Sequence, residues 1–199
     1  KRMVEKEIFE YYDVEVQRNI IDYDFNFKQF KLTDVQKTAF DEIKIKFSQN
    51  KNVLFKGVTS SGKTEIYISL INELLNSKNQ ILYLVPEIAL TTQLVERLKI
   101  YFAKNLVVYH SGLNINQRAE LWNEIIKNEK PQVIIGARSA VLLPYNKLKL
   151  IIVDEEHEQS YKQYEPSPRY HARDAALMLG NIHDSNVILG SATPSLESF

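Results

Sequence analysis

Apolar residues along the chain alternate between short continuous runs and longer stretches in which they recur every three or four positions. The continuous runs predict buried strands and the spaced stretches predict amphipathic helices. Strands are expected at 53–55, 81–85, 106–109, 132–135, 150–153 and 187–189, and helices at 33–47, 64–75, 89–102, 116–127 and 173–179, with Leu121, Trp122 and Ile125 as core. Strands this apolar, with helices between them, predict an α/β fold: a three-layer parallel sheet with helices on both faces.

Residues 1–31 lack this alternation. They are rich in aromatic and acidic side chains and contain neither glycine nor a helical stripe, so we interpret them as a linker or the remnant of a preceding domain. Residues 32–199 form one predicted domain. Because the chain starts at Lys1 and stops at Phe199, shortly after a strand, we expect it to be an excised piece of a longer protein.

The charges balance, with 25 Lys and Arg against 25 Asp and Glu. A neutral chain offers no overall basic surface to nucleic acid, so any DNA contact must be local. The absence of cysteine excludes disulfides and cysteine-bound zinc within these residues. No apolar run approaches the ~18 residues of a membrane span, and the first residues do not resemble a signal peptide. We therefore expect a cytoplasmic protein with no membrane partner.

The segment GVTSSGKT, residues 57–64, fits the phosphate-binding pattern GxxxxGK[ST] between a predicted strand and a predicted helix. In that context backbone N–H groups and the helix N-terminus converge on phosphates, Lys63 reaches the β- and γ-phosphates, and Thr64 holds Mg²⁺. The alternative is an ordinary Gly/Ser turn. The predicted nucleotide contacts in this segment are Gly57, Thr59, Ser60, Ser61, Gly62, Lys63, Thr64 and Glu65.

A second polar group, Asp154-Glu155-Glu156-His157, directly follows the predicted strand 150–153. Ligands of open α/β sheets bind at the carboxyl ends of the strands, so these side chains are expected beside the phosphate loop. Asp154 is predicted to hold Mg²⁺ through bound water, and Glu155 to orient and deprotonate the attacking water. Taken alone, the run would indicate only that acidic side chains at the end of a strand are exposed to solvent. Its position downstream of a phosphate loop favours ATP hydrolysis.

Seven segments extend this pattern over residues 32–199: GVTSSGKTEIY (57–67), LVPEIALTTQ (84–93), HSGL (110–113), GARSAVLLP (136–144), IIVDEEHEQSYKQ (151–163), SPRYHARDAA (167–176) and LGSATPSLES (189–198). Together they resemble the first RecA-like lobe of the bacterial primosomal replication-restart helicases, the PriA family, which are superfamily 2 DEEH helicases. Two positions depart from the family pattern. Ser60 stands where glycine is usual, which puts the nucleotide affinity in doubt, and Ala137 stands where threonine is common.

The resemblance implies roles for further residues. It implies that Gln36 reads adenine and that His157, with Lys63, Asp154 and Glu155, belongs to the catalytic group and couples the ATP site to a third motif at 191–193. It also implies that the tyrosine-rich stretch 159–173 links DNA occupancy to hydrolysis. The residues implied in DNA binding or coupling are Thr91, Thr92, Gln93, Arg138, Ser139, Tyr161, Lys162, Tyr164, Arg169, Tyr170, Arg173, Ser191 and Thr193.

Local alternatives remain open for several of these residues. Gln36 is the last residue of T-x-x-Q, so it is equally explained as half of a capping box with Thr33. Pro166 and Pro168 predict a loop at 159–173. Its tyrosines and cations suit stacking on bases and pairing with phosphates, but the tyrosines could instead pack on the sheet. The polar residues near 91 and 138 suit contacts with a DNA backbone, although each could instead cap a helix or a turn.

The expected function is that of a motor lobe of a 3′ to 5′ DNA helicase, which uses ATP and Mg²⁺ in replication restart at stalled forks. The implied partners are single-stranded and forked DNA, single-stranded DNA-binding protein and other primosome proteins, with the protein a monomer and zinc bound outside this chain. The alternative is a non-hydrolytic nucleotide-binding or partner-docking module. Such helicases hold ATP between two lobes, and the second supplies an arginine. This chain alone is therefore expected to be nearly inactive.

Overall fold

The computed structural model describes residues 31–50, 52–58, 61–75 and 78–199. The prediction of a linker or domain remnant at 1–31 therefore lies almost entirely outside the described residues. The helices are α1 (Asp34–Ser48), α2 (Lys63–Leu74), α3 (Thr92–Phe102), α4 (Ile115–Lys127) and α5 (Ala172–His183). The strands are β1 (Val53–Lys56), β2 (Gln80–Leu84), β3 (Leu106–Tyr109), β4 (Gln132–Gly136), β5 (Leu148–Val153), β6 (Lys162–Gln163), β7 (Tyr170–His171) and β8 (Asn186–Ser191).

Six strands form one parallel sheet in the order β1-β8-β5-β2-β4-β3. The central strands β2, β4 and β5 are buried almost throughout, as the continuous apolar runs predict. One core cluster joins a face of the sheet to α1, α2 and α3, and the other cluster joins the opposite face to α4 and α5. The predicted three-layer α/β fold is confirmed.

This strand order positions the site. β8 lies between β1 and β5, and β2 pairs with the other edge of β5. The phosphate loop after β1, the acidic run after β5 and the segment after β8 therefore leave the sheet side by side. Because all these strands are parallel, their carboxyl ends lie at one edge of the sheet, where ligands of such folds bind.

Three sequence expectations are wrong in detail. The helix expected at 89–102 is a short 3₁₀ turn, Glu87–Ala89, followed by α3, because the Thr91 side chain caps a new helix start by accepting from the Leu94 N–H. The stretch 159–173 is not all loop, since β6 and β7 pair within it, while Arg173 lies in α5 as the helix expected at 173–179 predicts. Trp122 is not core, because its side chain is 45% exposed, whereas Ile125 on the same helix is fully buried.

A buried amide pair holds the opposite edge of the sheet together. Gln80 and Gln132, at the starts of β2 and β4, are both fully buried. The Gln80 amide nitrogen donates to Gln132 Oε1 at 2.8 Å and to the Ile125 carbonyl at 2.9 Å. Its oxygen accepts from the backbone N–H groups of Asn146 and Lys147 at 2.7 and 3.0 Å. This one side chain therefore bonds four polar groups from α4, β4 and the segment before β5, and the two partners in α4 and β4 are buried.

Replacement of Gln80 by leucine is expected to lower the free energy of unfolding by about 2–4 kcal/mol, because it leaves buried partners unsatisfied. Urea unfolding followed by circular dichroism measures the change. Gln49→Leu, at an exposed position after α1, is the control and should change stability by less than about 0.5 kcal/mol. Equal effects of the two substitutions would contradict the importance of the amide pair.

Candidate nucleotide and coupling site

The phosphate loop leads into α2 through Gly62, which adopts φ 86° as the N-cap residue. Only glycine takes this conformation at little cost, and a Cβ here would also lie 2.0 Å from Gln36 Nε2. No side chain caps α2, so its first N–H groups remain available to an anion. Thr64 lies in this first turn with Glu65, and Ser61 is exposed just before it. Thr59 and Ser60 lie outside the described residues.

Lys63 links the phosphate loop to the acidic run. Its side chain is only 7% exposed, and its ammonium donates to the Gly57 carbonyl at 2.7 Å. The same ammonium lies 3.4 Å from Glu155 Oε1. The predicted phosphate-binding cation and the predicted base are thus direct neighbours, although they are 92 positions apart in the sequence.

Three tyrosines surround Asp154: one from α2, one from β2 and one from the 3₁₀ turn Gln159–Tyr161. Tyr67 and Tyr83 lie 3.4 and 3.2 Å from its two oxygens with their hydroxyls, and the Tyr161 hydroxyl donates to its backbone carbonyl at 2.7 Å. Burial, and then repulsion from Glu155, raise the pKa of Asp154 from 3.8 to about 6, while Lys63 and the Tyr83 hydrogen bond oppose this. A buried acid of this kind has little hydration and suits a bound cation.

The tyrosine cage depends on Gly190 in the neighbouring strand β8. A Cβ at this position would lie 1.8 Å from the Tyr67 hydroxyl and 3.4 Å from Asp154 Oδ1. Tyr67 also packs edge-on against Tyr83, with ring centroids 5.7 Å apart. Burial, and then the Asp154 charge, raise the pKa of both phenols well above the ordinary value, so both remain hydrogen-bond donors.

Glu155 departs from the strand direction by adopting φ 47°, a conformation uncommon outside glycine, asparagine and aspartate. Its N–H donates to Asp154 Oδ1 at 3.1 Å. Because of this turn, two successive side chains point in different directions. Glu155 points toward Lys63, and Glu156 is buried in the protein interior. Left-handed backbone at such a position is a local strain of the type found at functional sites.

His157 contacts the segment that follows β8. Its Nδ1 lies 2.7 Å from the Ser191 hydroxyl, which also accepts from the Thr193 N–H at 3.0 Å. The other oxygen of Glu155 lies 3.8 Å from the same ring nitrogen. A continuous polar path therefore connects Lys63, Glu155, His157 and Ser191. This geometry fits the predicted coupling, whose function stays a prediction.

Glu156 forms a buried cluster that the sequence analysis did not predict. Its side chain is 0% exposed, and it accepts from the Ser195 N–H at 2.8 Å, the Ser195 hydroxyl at 2.9 Å and the Ser198 hydroxyl at 2.6 Å. Arg173 lies 3.4 Å away and also donates to Ser195 and to Asp174. Burial acts to raise the pKa of Glu156, but these hydrogen bonds outweigh it and hold the pKa below its usual range.

Burial revises how three of the DNA-binding or coupling candidates can act. Arg173 is 7% exposed, and Tyr161 and Ser191 are fully buried, so none of them offers a surface to DNA and only a coupling role fits their positions. Arg138 uses its guanidinium internally, donating to the carbonyls of Ser160 and Lys162 at 3.3 and 2.8 Å. These contacts hold the start of the tyrosine-rich stretch against the segment that follows β4.

The remaining candidates lie at or near the surface. Lys162, Tyr164 and Arg169 are exposed, and the Lys162 ammonium lies 4.9 Å from the centre of the Tyr164 ring. Tyr170 is half-buried, while Ser139 and Thr193 have a polar side chain in contact with solvent. Thr92 and Gln93 are exposed in the first turn of α3, which Thr91 caps. Capping explains the position of Thr91, and its DNA contact stays a prediction.

Gln36 forms the capping box of α1 and also reaches the phosphate loop. Its oxygen accepts from the Thr33 N–H at 2.9 Å, and its own N–H donates to the Thr33 hydroxyl at 3.3 Å. The amide nitrogen points to the Gly62 carbonyl at 3.5 Å. The capping interpretation is therefore confirmed. Recognition of adenine stays a prediction, for which the amide retains one N–H donor and one acceptor lone pair.

A pocket of about 410 Å³ connects these groups. It is lined by Gly62, Lys63, Thr64, Glu65, Arg97, Asp154 and Glu155. Arg97 was not predicted from the sequence, because nothing local distinguishes it from other helix-surface cations. Among the described residues, no group of three or more His, Cys, Asp or Glu side chains is arranged to hold a metal ion. A cation here would therefore need ligands from a bound phosphate in addition to Thr64 and Asp154.

The family profile described as DEAD/DEAH box helicase matches residues 33–199. The chain belongs to the DEAD/DEAH box helicase family. It is 45% identical to the replication restart protein PriA of Bacillus subtilis over 170 residues, which are 84% of this chain and 21% of that protein. It is 46% identical to PriA of Haemophilus influenzae over 168 residues, 84% of this chain and 22% of that protein. These identities confirm the resemblance to the PriA family.

The chain spans about a fifth of the length of the curated relatives it matches. Solved helicase structures share its fold. RecG bound to a three-way DNA junction matches with a TM-score of 0.61 at 22% identity, covering 85% of this chain and 22% of that one. Mycobacterium smegmatis helicase Lhr bound to single-stranded DNA and AMP-PNP matches with a TM-score of 0.57 at 21% identity, covering 80% and 23%. Within the described part of this family member, no helix is long and apolar enough to cross a membrane.

Asp154→Asn is expected to raise the free energy of unfolding at pH 7.5, in metal-free buffer, by about 1–3 kcal/mol. Between about pH 4 and pH 6, a carboxyl whose folded pKa is raised to about 6 is largely protonated in the folded chain and ionised in the unfolded chain; above pH 6 it is ionised in both states, and the folded state carries the full cost of the buried charge. Stability therefore falls as pH rises from about 4 to 6, and the amide removes this loss. Urea unfolding between pH 4 and 8 measures it, with exposed Asp41→Asn as the control. If Asp154→Asn were no more stable than the parent chain, the buried carboxylate would not be destabilising and the prediction would be wrong.

Gln36→Glu separates capping from adenine recognition. A carboxylate keeps the acceptor for the Thr33 N–H but loses the amide donor. If Gln36 reads adenine, ATP binding weakens about tenfold while GTP binding and the melting temperature change little. Isothermal titration calorimetry with both nucleotides, beside a thermal melt, makes the comparison. Equal affinities for ATP before and after the substitution would leave Gln36 with its structural role only.

Proposed function

We propose that this chain is the ATP-binding motor lobe of a DNA helicase. The observation that carries the proposal is the path from Lys63 through Glu155 and His157 to Ser191, in which adjoining side chains lie 2.7–3.8 Å apart. A passive nucleotide site needs the loop and the cation alone. Here Glu155, a carboxylate that can serve as a base, lies between the Lys63 ammonium and His157, which contacts Ser191 at the end of β8.

The chemistry of the pocket fits ATP with Mg²⁺. Lys63 and the uncapped start of α2 supply positive charge for phosphates, while Thr64 and Asp154 supply the oxygen ligands that Mg²⁺ prefers. Bound Mg²⁺ would neutralise charge on the phosphate oxygens. The hydroxyls of Tyr67 and Tyr83 fix the orientation of the Asp154 carboxylate in which it would bind the cation.

The chain's own residues would then perform the proton transfer. Glu155 orients the attacking water and accepts its proton, and its carboxylate lies 3.4 Å from the Lys63 ammonium. Lys63 would exchange the Gly57 carbonyl and Glu155 for phosphate oxygens. That exchange would release Glu155 to the water, so phosphate binding itself would prepare the base.

The same residues offer a route from the ATP site to DNA. His157 reaches Ser191 and Thr193, and Tyr161 joins the Asp154 backbone to the tyrosine-rich stretch. Lys162, Tyr164 and Arg169 on that stretch are exposed and suited to stacking and phosphate contacts. Thr92, Gln93 and Ser139 add polar groups at the same edge of the sheet.

The wider function rests on similarity to PriA proteins. We propose 3′ to 5′ unwinding in replication restart at stalled forks, with single-stranded and forked DNA, single-stranded DNA-binding protein and other primosome proteins as partners. The zinc site expected from the resemblance would lie in other parts of the protein. The protein would act as a monomer, cytoplasmic and associated with the nucleoid, and this lobe alone would turn over little ATP. The match to the helicase family does not favour the alternative, a non-hydrolytic nucleotide-binding or partner-docking module.

Glu155→Gln in the full-length protein tests hydrolysis. The amide cannot accept a proton, so the DNA-stimulated ATPase rate should fall at least a hundredfold while binding of a non-hydrolysable ATP analogue persists. Glu158→Gln, three residues further along the same acidic run, is the matched control and should retain the rate. If Glu155→Gln hydrolysed ATP as fast as the parent protein, the proposed base would be wrong and the non-hydrolytic module would be favoured.

A further inference from the structure

Arg97 is the second cation of the phosphate pocket. It belongs to α3, yet its side chain lines the same pocket as Lys63, Thr64, Asp154 and Glu155. The two cations differ in accessibility: Lys63 is 7% exposed and already bonded to the Gly57 carbonyl, whereas the Arg97 side chain is 44% exposed. A ligand that enters this pocket therefore finds the Arg97 guanidinium more accessible than the Lys63 ammonium.

The partner of Arg97 lies beside the predicted Mg²⁺ ligand. Its Nη2 pairs with Glu65 Oε1, and Glu65 directly follows Thr64 in the first turn of α2. A guanidinium has five N–H donors in a planar fork, and the contact with Glu65 involves only Nη2. The remaining donors suit the oxygens of a phosphate, which arginine binds with two parallel hydrogen bonds.

The acidic side of the pocket indicates which phosphate. Arg97 shares the pocket with Asp154 and Glu155, the residues proposed for Mg²⁺ and for the attacking water. These groups act on the terminal phosphate, and the accessible Arg97 guanidinium on the same pocket offers donors to its oxygens. We propose that Arg97 binds the γ-phosphate of ATP, exchanging Glu65 for phosphate oxygens. This inference rests on the proposed function.

A comparable ion pair elsewhere on α2 shows what a purely structural contact looks like. Lys44 on α1 pairs with Glu73 near the end of α2 at 2.8 Å, and both side chains are about half exposed. That pair also joins α2 to a neighbouring helix, but neither residue lines the phosphate pocket. It provides a matched control for a helix-to-helix contact without a ligand.

The test compares nucleotide affinities in the full-length protein with Mg²⁺, measured by isothermal titration calorimetry with AMP-PNP and with ADP. Arg97→Gln should weaken AMP-PNP binding about tenfold and ADP binding less than twofold, because only AMP-PNP carries the terminal phosphate. Arg97→Lys should fall between the parent and Arg97→Gln. Glu65→Gln frees Arg97 from its carboxylate partner and should tighten AMP-PNP binding at least twofold. Lys44→Gln should change neither affinity.

Two results would overturn the proposal. One is that Arg97→Gln weakens both nucleotides equally or leaves both unchanged, since the terminal phosphate would then not be its ligand. The other is that Glu65→Gln reproduces the loss seen with Arg97→Gln, since the pair would then only join two helices. A thermal melt of each variant reports folding separately. Binding is measured without hydrolysis, so the role of Arg97 can be refuted while the role of Glu155 as the base stands. Equally, Glu155 can be refuted as the base while Arg97 still binds the terminal phosphate.

Discussion

The burial of the Asp154 carboxylate is the constraint on which the site depends. An acid in this position resists ionisation, and the fold offsets that resistance with the Lys63 ammonium and with hydroxyls from Tyr67 and Tyr83. Lys63 and Tyr67 come from α2 and Tyr83 from β2, and the order of the strands brings them together around Asp154. Even the absence of a side chain at Gly190 belongs to this arrangement, because a methyl group there would displace Tyr67. A poorly hydrated carboxylate is well suited to capture a cation brought by phosphate.

The acidic run after β5 divides its side chains between two environments. Glu155 turns outward through a left-handed backbone conformation, while Glu156 is fully buried against Arg173 and the serines that follow β8. Removing either partner of such a buried pair leaves an uncompensated charge. The backbone between Asp154 and His157 is therefore held at both ends. Together with the Lys63 contact and the hydrogen bond from the Glu155 N–H to Asp154, this fixes the direction of Glu155.

Local pattern was sufficient to predict the fold and the main site. Continuous apolar runs predict the strands, and GKT with the acidic run predicts the two halves of the pocket, because both signals lie within a few residues. The involvement of Arg97 and the burial of Arg173 could not be predicted in this way. Each depends on a partner more than ten residues away, and an arginine in a helix has the same local pattern whether it pairs with a carboxylate or with solvent. The prediction that Trp122 belongs to the core was wrong for a related reason: helical spacing does not show which face of the helix another element covers.

Paired charges give the pocket its capacity to respond to a ligand. Lys63 contacts Glu155 and Arg97 contacts Glu65, so each cation is held near the position in which a phosphate would meet it. A cation held in this way loses less conformational freedom when it binds than one that moves freely in solvent. The exchange of a carboxylate for a phosphate also releases that carboxylate. At Glu155 the released group is the proposed base, so the arrangement that orders the cation also withholds the base until phosphate arrives.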